Sequence, residues 1–235
     1  MTVPTPPWRT ARKRAKTQLS QDVIVETGLR ILVTDGSEAL SMRRVAQALD
    51  TGPASLYAHV SNKEELLELI FDRVLGEIHL PEPDPAQWQR QLRGYAMEAL
   101  RILAQYGDVA RIAVANVPTG PNALRVGEWM MGLLVGAGMS PREASFAVDR
   151  LALYITADAF EGSQHFARMR AAGVTDPGAY MEEFATRIAD YYRTLPADRF
   201  PHLTGYVEEM TAGDGDARFE FGLDLLITGM EARLR

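Results

Sequence analysis

The sequence has no cysteine, so disulfide frameworks and thiolate metal sites are ruled out, and a reducing compartment would suit it. It has no apolar run of the ~18 residues that a membrane-spanning helix needs. Pro4, Pro6, Pro7 and scattered Arg and Lys stand where a signal peptide would need a continuous apolar stretch. The expectation is a soluble, unexported, cytoplasmic protein. No G-x-S-x-G, phosphate-cradling loop or other nucleophile motif occurs, which argues against an enzyme. Strand-type alternation bounded by hairpin turns is missing, as are internal repeats and low-complexity tracts. The fold class read from these absences is all-α.

What is present is 46% hydrophobic content over 235 residues, enough to fill a real core. The net charge of −6 is unevenly spread: residues 1–63 carry +4 and the remainder −10. A basic front on an acidic body places any polyanion-facing surface at the start of the chain.

Residues 1–19 lack apolar periodicity and read as a flexible basic arm, with Arg12, Lys13, Arg14 and Lys16 suited to phosphates or a minor groove. Ser20 can cap a first helix with Ile24, Gly28, Ile31 and Leu32 on one side and Gly36 as its stop. Ser41 caps a second helix carrying Val45, Ala46 and Leu49, and Pro53 begins a third. Ser61 with Glu64 reads as a capping box opening a fourth, with a connecting helix over 62–79. "LPEPDPAQW" (80–88) is a proline-punctuated connection. Helical periodicity then covers roughly 85–106, 108–115, 121–137, 141–171, 177–195 and 216–234.

A two-turn helix, a tight turn with Gly52 permitting the reversal, and a short helix restarted by Pro53 have the layout of a helix-turn-helix. Leu56 and Val60 would face inward against Ala46 and Leu49. Thr51, Pro53, Ala54, Ser55, Tyr57 and His59 would face solvent or a groove. Two short helices joined by Gly-Pro also occur in proteins that never meet DNA, and spacing alone leaves both readings open.

"SMRRVAQALDTGPASLYAHVSNKEELLELI" resembles the DNA-binding domain of TetR-family transcriptional regulators, with V-A-x-x-L, L-Y-x-H-V and N-K-x-x-L-L in order over about residues 20–75. The resemblance implies DNA contacts at Arg43, Thr51, Pro53, Ala54, Ser55, Tyr57, His59 and Lys63. Tyr57, His59 and Lys63 would hold phosphates, and Pro53, Ala54 and Ser55 would face bases. Because Pro53 and Ala54 offer no bidentate hydrogen bonds, readout would lean on Arg43, apolar contacts and DNA shape.

The rest of the chain resembles the tetracycline-repressor branch of the family, in "GMSPREASFAVDRLALYITADAFEG" (138–162) and "FGLDLLITGMEARL" (221–234). This implies a homodimer built on those two helices, with Phe221, Leu225 and Thr228 as a seam and Leu226, Met230 and Leu234 nearby. By the same resemblance His79, Tyr95, Asn116, Trp129 and Glu161 line an effector pocket. Trp88, Tyr154 and Phe160 add aromatic surface and His165 a polar group. Ala113 stands where the branch has its metal-binding loop histidine. That removes the imidazole a tetracycline–magnesium complex would use and points to an aromatic or largely apolar effector, with no cofactor and no metal.

The division expected is a basic arm (1–19), a helix-turn-helix domain (20–66) and an effector-binding and dimerisation domain (67–235). The function expected is a repressor released from a palindromic operator by a small molecule. The alternative is a ligand-binding protein of the same fold without DNA-binding function. Asp158, Glu161 and His165, at i, i+3 and i+7, could share a helical face as metal ligands, but no matching set from other helices is evident.

Overall fold

The computed structural model describes residues 19–106, 109–113, 119–213 and 215–234, apart from the side chains of Arg111 and Ala113. Nearly all of the basic arm, Asn116 and the Ala113 side chain therefore lie outside the described residues. Every regular element among the described residues is helical.

Helix α1 (Gln21–Asp35) starts where the Ser20 hydroxyl accepts from the Val23 N–H at 3.3 Å and stops at Gly36, φ 85°. Its inner face carries Ile24, Gly28 and Leu32. A Cβ on Gly28 would come within 3.0 Å of Ile70 Cδ1, so glycine here lets α1 lie close against the fourth helix. Helix α2 (Met42–Ala48) is capped by Ser41, which accepts from the Arg44 N–H at 3.2 Å.

The short α3 (Pro53–Leu56) has Pro53 in its first turn, as expected. The reversal before it differs from the sequence reading. The left-handed residue is Asp50, φ 49°, whereas Gly52 is extended (φ −82°, ψ 147°) with nothing near an added Cβ. The Thr51 N–H reaches back to the Ala46 carbonyl at 3.0 Å. That closure forces the positive φ one residue before Thr51, where an aspartate tolerates it.

Helix α4 (Lys63–Leu75) is capped one residue later than the Ser61–Glu64 pairing expected from sequence. Asn62 Oδ1 accepts from the Glu65 N–H at 2.7 Å and the Glu65 carboxylate accepts from the Ser61 N–H at 2.5 Å. Glu65, three residues after Asn62, can turn back over the helix start. Glu64 makes no such contact. The helix also ends at Leu75 rather than 79, because Arg125 Nη2 donates to the Leu75 and Ile78 carbonyls at 3.2 and 3.1 Å and fixes a turn there.

A 3-10 turn (Pro85–Gln87) capped by Asp84 leads into α5 (Trp88–Gln105). The chain continues through α6 (Val109–Ala113), α7 (Pro121–Gly136) and α8 (Pro141–Ala171). Then follow α9 (Pro177–Arg193), α10 (Pro201–Gly205), α11 (Val207–Thr211) and α12 (Gly215–Glu231). These ranges follow the periodic segments closely, but α10 and α11 are one-turn pieces that hydropathy did not separate from loop. Prolines sit in the first turn of α7, α8, α9 and α10, where a missing N–H costs nothing.

The long α8 packs on α5, α6, α7 and α12. Its Tyr154 stacks on Phe219 of α12 (centroids 5.0 Å apart) and donates to the Phe219 carbonyl at 2.8 Å. Gly222 supplies the space, since a Cβ there would meet the Tyr154 hydroxyl at 2.2 Å.

A left-handed aspartate carries a steric cost that glycine lacks. Asp50→Gly should raise stability by up to about 1 kcal/mol, a gain of roughly 2–4 °C in the thermal midpoint. An unchanged or lower midpoint would show that the Asp50 side chain itself secures the turn.

Candidate DNA interface and effector site

The inner residues of the helix-turn-helix are sealed: Val45, Ala46, Leu56 and Val60 are all at or below 1% exposure. The outer ones are open. Arg43, Pro53, Ala54, Ser55, Tyr57 and His59 are exposed, and Thr51 and Lys63 are half-buried. Four of these residues fall within α3 and its C-terminal cap, so a single helical turn presents them. Tyr57, that cap residue, is 53% exposed. Neighbouring bonds fix the platform. Gln21 Nε2 donates to the His59 carbonyl at 3.3 Å, and Lys63 Nζ donates to the Ser37 carbonyl at 3.4 Å. Arg44 is committed to Asp35 at 2.6 Å, whereas Arg43 points to no carboxylate among the described residues. A surface of hydroxyls, small apolar groups and cations around one helical turn suits phosphates and base edges.

The residues expected around the effector divide into groups. Trp88, Tyr95 and Trp129 are buried. Tyr95 and Trp129 meet with ring centroids 5.7 Å apart, and Trp129 Nε1 donates to the Pro81 carbonyl at 2.7 Å. This aromatic pair is braced between α5, α7 and the connection that follows α4. His79 is exposed and lies four residues beyond the end of α4 rather than within it, and its N–H donates to Glu98 at 3.2 Å. Tyr154 is taken up by its contact with α12. Glu161 is exposed, and half-buried His165 meets Phe184 of α9 edge-on at 5.4 Å. Burial, and then the nearby Glu161, push the Asp158 carboxyl up. Among the described residues no three His, Asp or Glu side chains are grouped closely enough to hold a metal ion.

Sequence reasoning missed the contacts between the helix-turn-helix unit and the rest of the chain. Tyr106, at the end of α5, donates to both oxygens of Glu77 at 2.7 and 2.8 Å; Glu77 pairs with Arg73 at 3.0 Å, and Arg73 with Glu26 of α1 at 2.6 Å. Burial and the Glu77 hydrogen bond push the Tyr106 phenol up to about 12. Glu26 holds the Arg73 guanidinium above its ordinary value, chiefly through their hydrogen bond. A second link runs through Asp72 and Arg125, between α4 and α7. Asp72 did leave a signal, as an acid inside the apolar stripe of α4. The i, i+4 spacing of Arg73 and Glu77 gave no hint of Tyr106 or Glu26.

Burial pushes the Tyr95 phenol up as well, opposed by the positive charge of Arg125. A phenol harder to ionise when folded favours the folded state fully below the unfolded value of ~10, and that advantage fades as pH rises further. Thermal midpoints should therefore fall above about pH 10, less steeply in Tyr95→Phe. Equal slopes would place the Tyr95 hydroxyl in water.

Comparison with known proteins matches two family models in succession. The chain matches the family model "Bacterial regulatory proteins, tetR family" over residues 24–70 and "Tetracyclin repressor-like, C-terminal domain" over residues 80–234. It is 30% identical to an HTH-type transcriptional regulator of Saccharopolyspora erythraea, covering 94% of this chain and 88% of the relative. It is 29% identical to the HTH-type transcriptional repressor DrrR1 of Streptomyces coeruleorubidus, covering 95% and 83%. Among solved structures, Streptomyces coelicolor ActR in complex with actinorhodin superposes with TM-score 0.81 at 41% identity, covering 93% of this chain and 98% of that one. The helix-turn-helix at the front and the helical domain behind it place this chain in the TetR family of DNA-binding transcriptional regulators.

Proposed function

We propose that the protein is a homodimeric repressor that binds an inverted-repeat operator and releases it when a small molecule occupies the C-terminal domain. The observation that carries this reading is the α2–α3 pair, with its inward residues buried and a row of groove-compatible side chains outward. Arg43, Thr51, Pro53, Ala54, Ser55, Tyr57, His59 and Lys63 form the DNA surface. Tyr57, His59 and Lys63 hold phosphates; Pro53, Ala54 and Ser55 face bases.

One recognition helix spans too few base pairs to specify an operator, and a two-fold dimer sets two half-sites ~34–36 Å apart. The surface of α12 supports such a dimer. Phe221 is 66% and Leu225 61% exposed, with Thr228 exposed beside them. On α8, Phe146, Leu153 and Ala157 fall at i, i+7 and i+11 along one side, the two ends exposed and Leu153 half-buried. Met230 is buried and Leu226 and Leu234 half-buried within the chain, which leaves Phe221, Leu225 and Thr228 as the seam we propose. Leu225→Glu should convert the dimer to monomers in sedimentation at micromolar concentration. A dimer unchanged by that substitution would move the interface elsewhere.

The effector site is the wall formed by Tyr95 and Trp129, with Trp88, His79 and Glu161 contributing. Its buried aromatics suit a planar, largely apolar molecule oriented by a few polar groups. The solved complex of ActR with actinorhodin supports a small-molecule effector for this chain.

The operator test is selection of bound duplexes from a random pool near physiological salt. An enriched inverted repeat is expected, with Tyr57→Ala weakening the enriched site about tenfold while the dimer persists. Selection that enriches nothing above a salt-sensitive background would favour a ligand-binding protein without DNA-binding function.

A further inference from the structure

Asp72 is the one buried acid among the described residues, 8% exposed on the apolar side of α4. Its Oδ1 accepts from the Ala123 backbone N–H at 2.9 Å and its Oδ2 from Asn122 Nδ2 at 3.0 Å, both in the first turn of α7. Helix α7 has Gly120 at its N-cap and no side-chain cap of its own, so α4 supplies the carboxylate that α7 lacks. In the opposite direction, Arg125 of α7 donates to the Leu75 carbonyl at the C-terminal end of α4 and to the Ile78 carbonyl just beyond it. Each helix thus neutralises the other's exposed end: an anion sits at the positive terminus of α7 and a cation at the negative terminus of α4.

The fit between the two helices is close. A Cβ on Gly120 would lie 2.2 Å from the Asp72 carboxyl carbon, and one on Gly76 would lie 3.1 Å from Asn122 Nδ2. Arg125 also lies near enough to the buried Tyr95 phenol for its charge to act there. The same guanidinium therefore touches the end of α4 and influences the aromatic wall of the proposed effector site.

We propose that Asp72 and Arg125 are positioning residues that lock α4 and α7 into one rigid lever, so that α4 carries the recognition helix by moving with α7 and not by sliding over it. The lever's function rests on the effector-responsive reading above. Two short, oppositely directed contacts at adjacent helix ends resist both translation and rotation, because any slip breaks a buried carboxylate's bonds.

Gly120→Ala isolates this contact. Gly120 has φ −69° and ψ 157°, which alanine adopts without strain, and the nearest atoms to the added methyl all belong to Asp72. Hydrogen exchange is measured by mass spectrometry on the full-length wild type, Gly120→Ala and Asp72→Asn, free and with the selected operator duplex. In the free protein Gly120→Ala should speed exchange about tenfold in both the last turn of α4 and the first turn of α7, with Asp72→Asn intermediate and melting still cooperative. Faster exchange confined to α7 would overturn the lever. With operator, wild type should change protection in α4 and α7 together, and Gly120→Ala should retain the α4 response and lose that of α7. An α7 response equal to wild type would also overturn it. If no duplex is enriched at all, the regulator reading fails, while the free-protein comparison still decides whether the two helix ends are joined.

Discussion

The burial of α4 is the constraint on which the rest of the structure depends. Leu66, Ile70 and Val74 have no exposure at all, and the helix packs against α1 on one side and α5, α6 and α7 on others. Its apolar residues are shared by the small DNA-binding core and the larger helical domain. A three-helix unit of this size gains little burial on its own. By lending it α4, the larger domain stabilises the smaller one and at the same time fixes how a movement behind α4 reaches α3.

That sharing explains the polar chemistry found along α4. A helix buried on several faces cannot hand its end groups to water, so partners must come from neighbouring helices. Arg125 satisfies the C-terminal carbonyls, and the carboxylate of Asp72 is tolerated in the interior because it caps α7. On the exposed flank, the Glu26, Arg73, Glu77 and Tyr106 chain crosses from α1 to the end of α5. Its members are partly solvated, so each pair contributes modestly, but together they align the two cores along a second edge.

Much of this was legible from sequence because it depends on local rules. Ser20, Ser41, Gly36 and Pro53 act where their side chains or φ preferences require. The outward row from Thr51 to His59 follows from helical periodicity once Leu56 and Val60 are assigned inward. The structure departs from the sequence reading where neighbouring groups compete for one role, or where a distant side chain intervenes. The positive φ fell to Asp50 instead of Gly52 because of the Thr51 to Ala46 closure. The box at α4 shifted to Asn62 and Glu65, and α4 ended early under Arg125.

The sequence by itself determined the helical class, most of the helix ends and the residues facing outward on α3, since each depends on side chains within one or two turns of one another. It also set the identity of the apolar stripes. Only the tertiary structure decided that Tyr154 serves α12, that Tyr95 and Trp129 meet, and that Asp72 faces the start of α7, some fifty positions along the chain. No spacing rule encodes such pairs. Their partners are chosen by how closely helices approach, and glycines at 28, 120 and 222 set that distance.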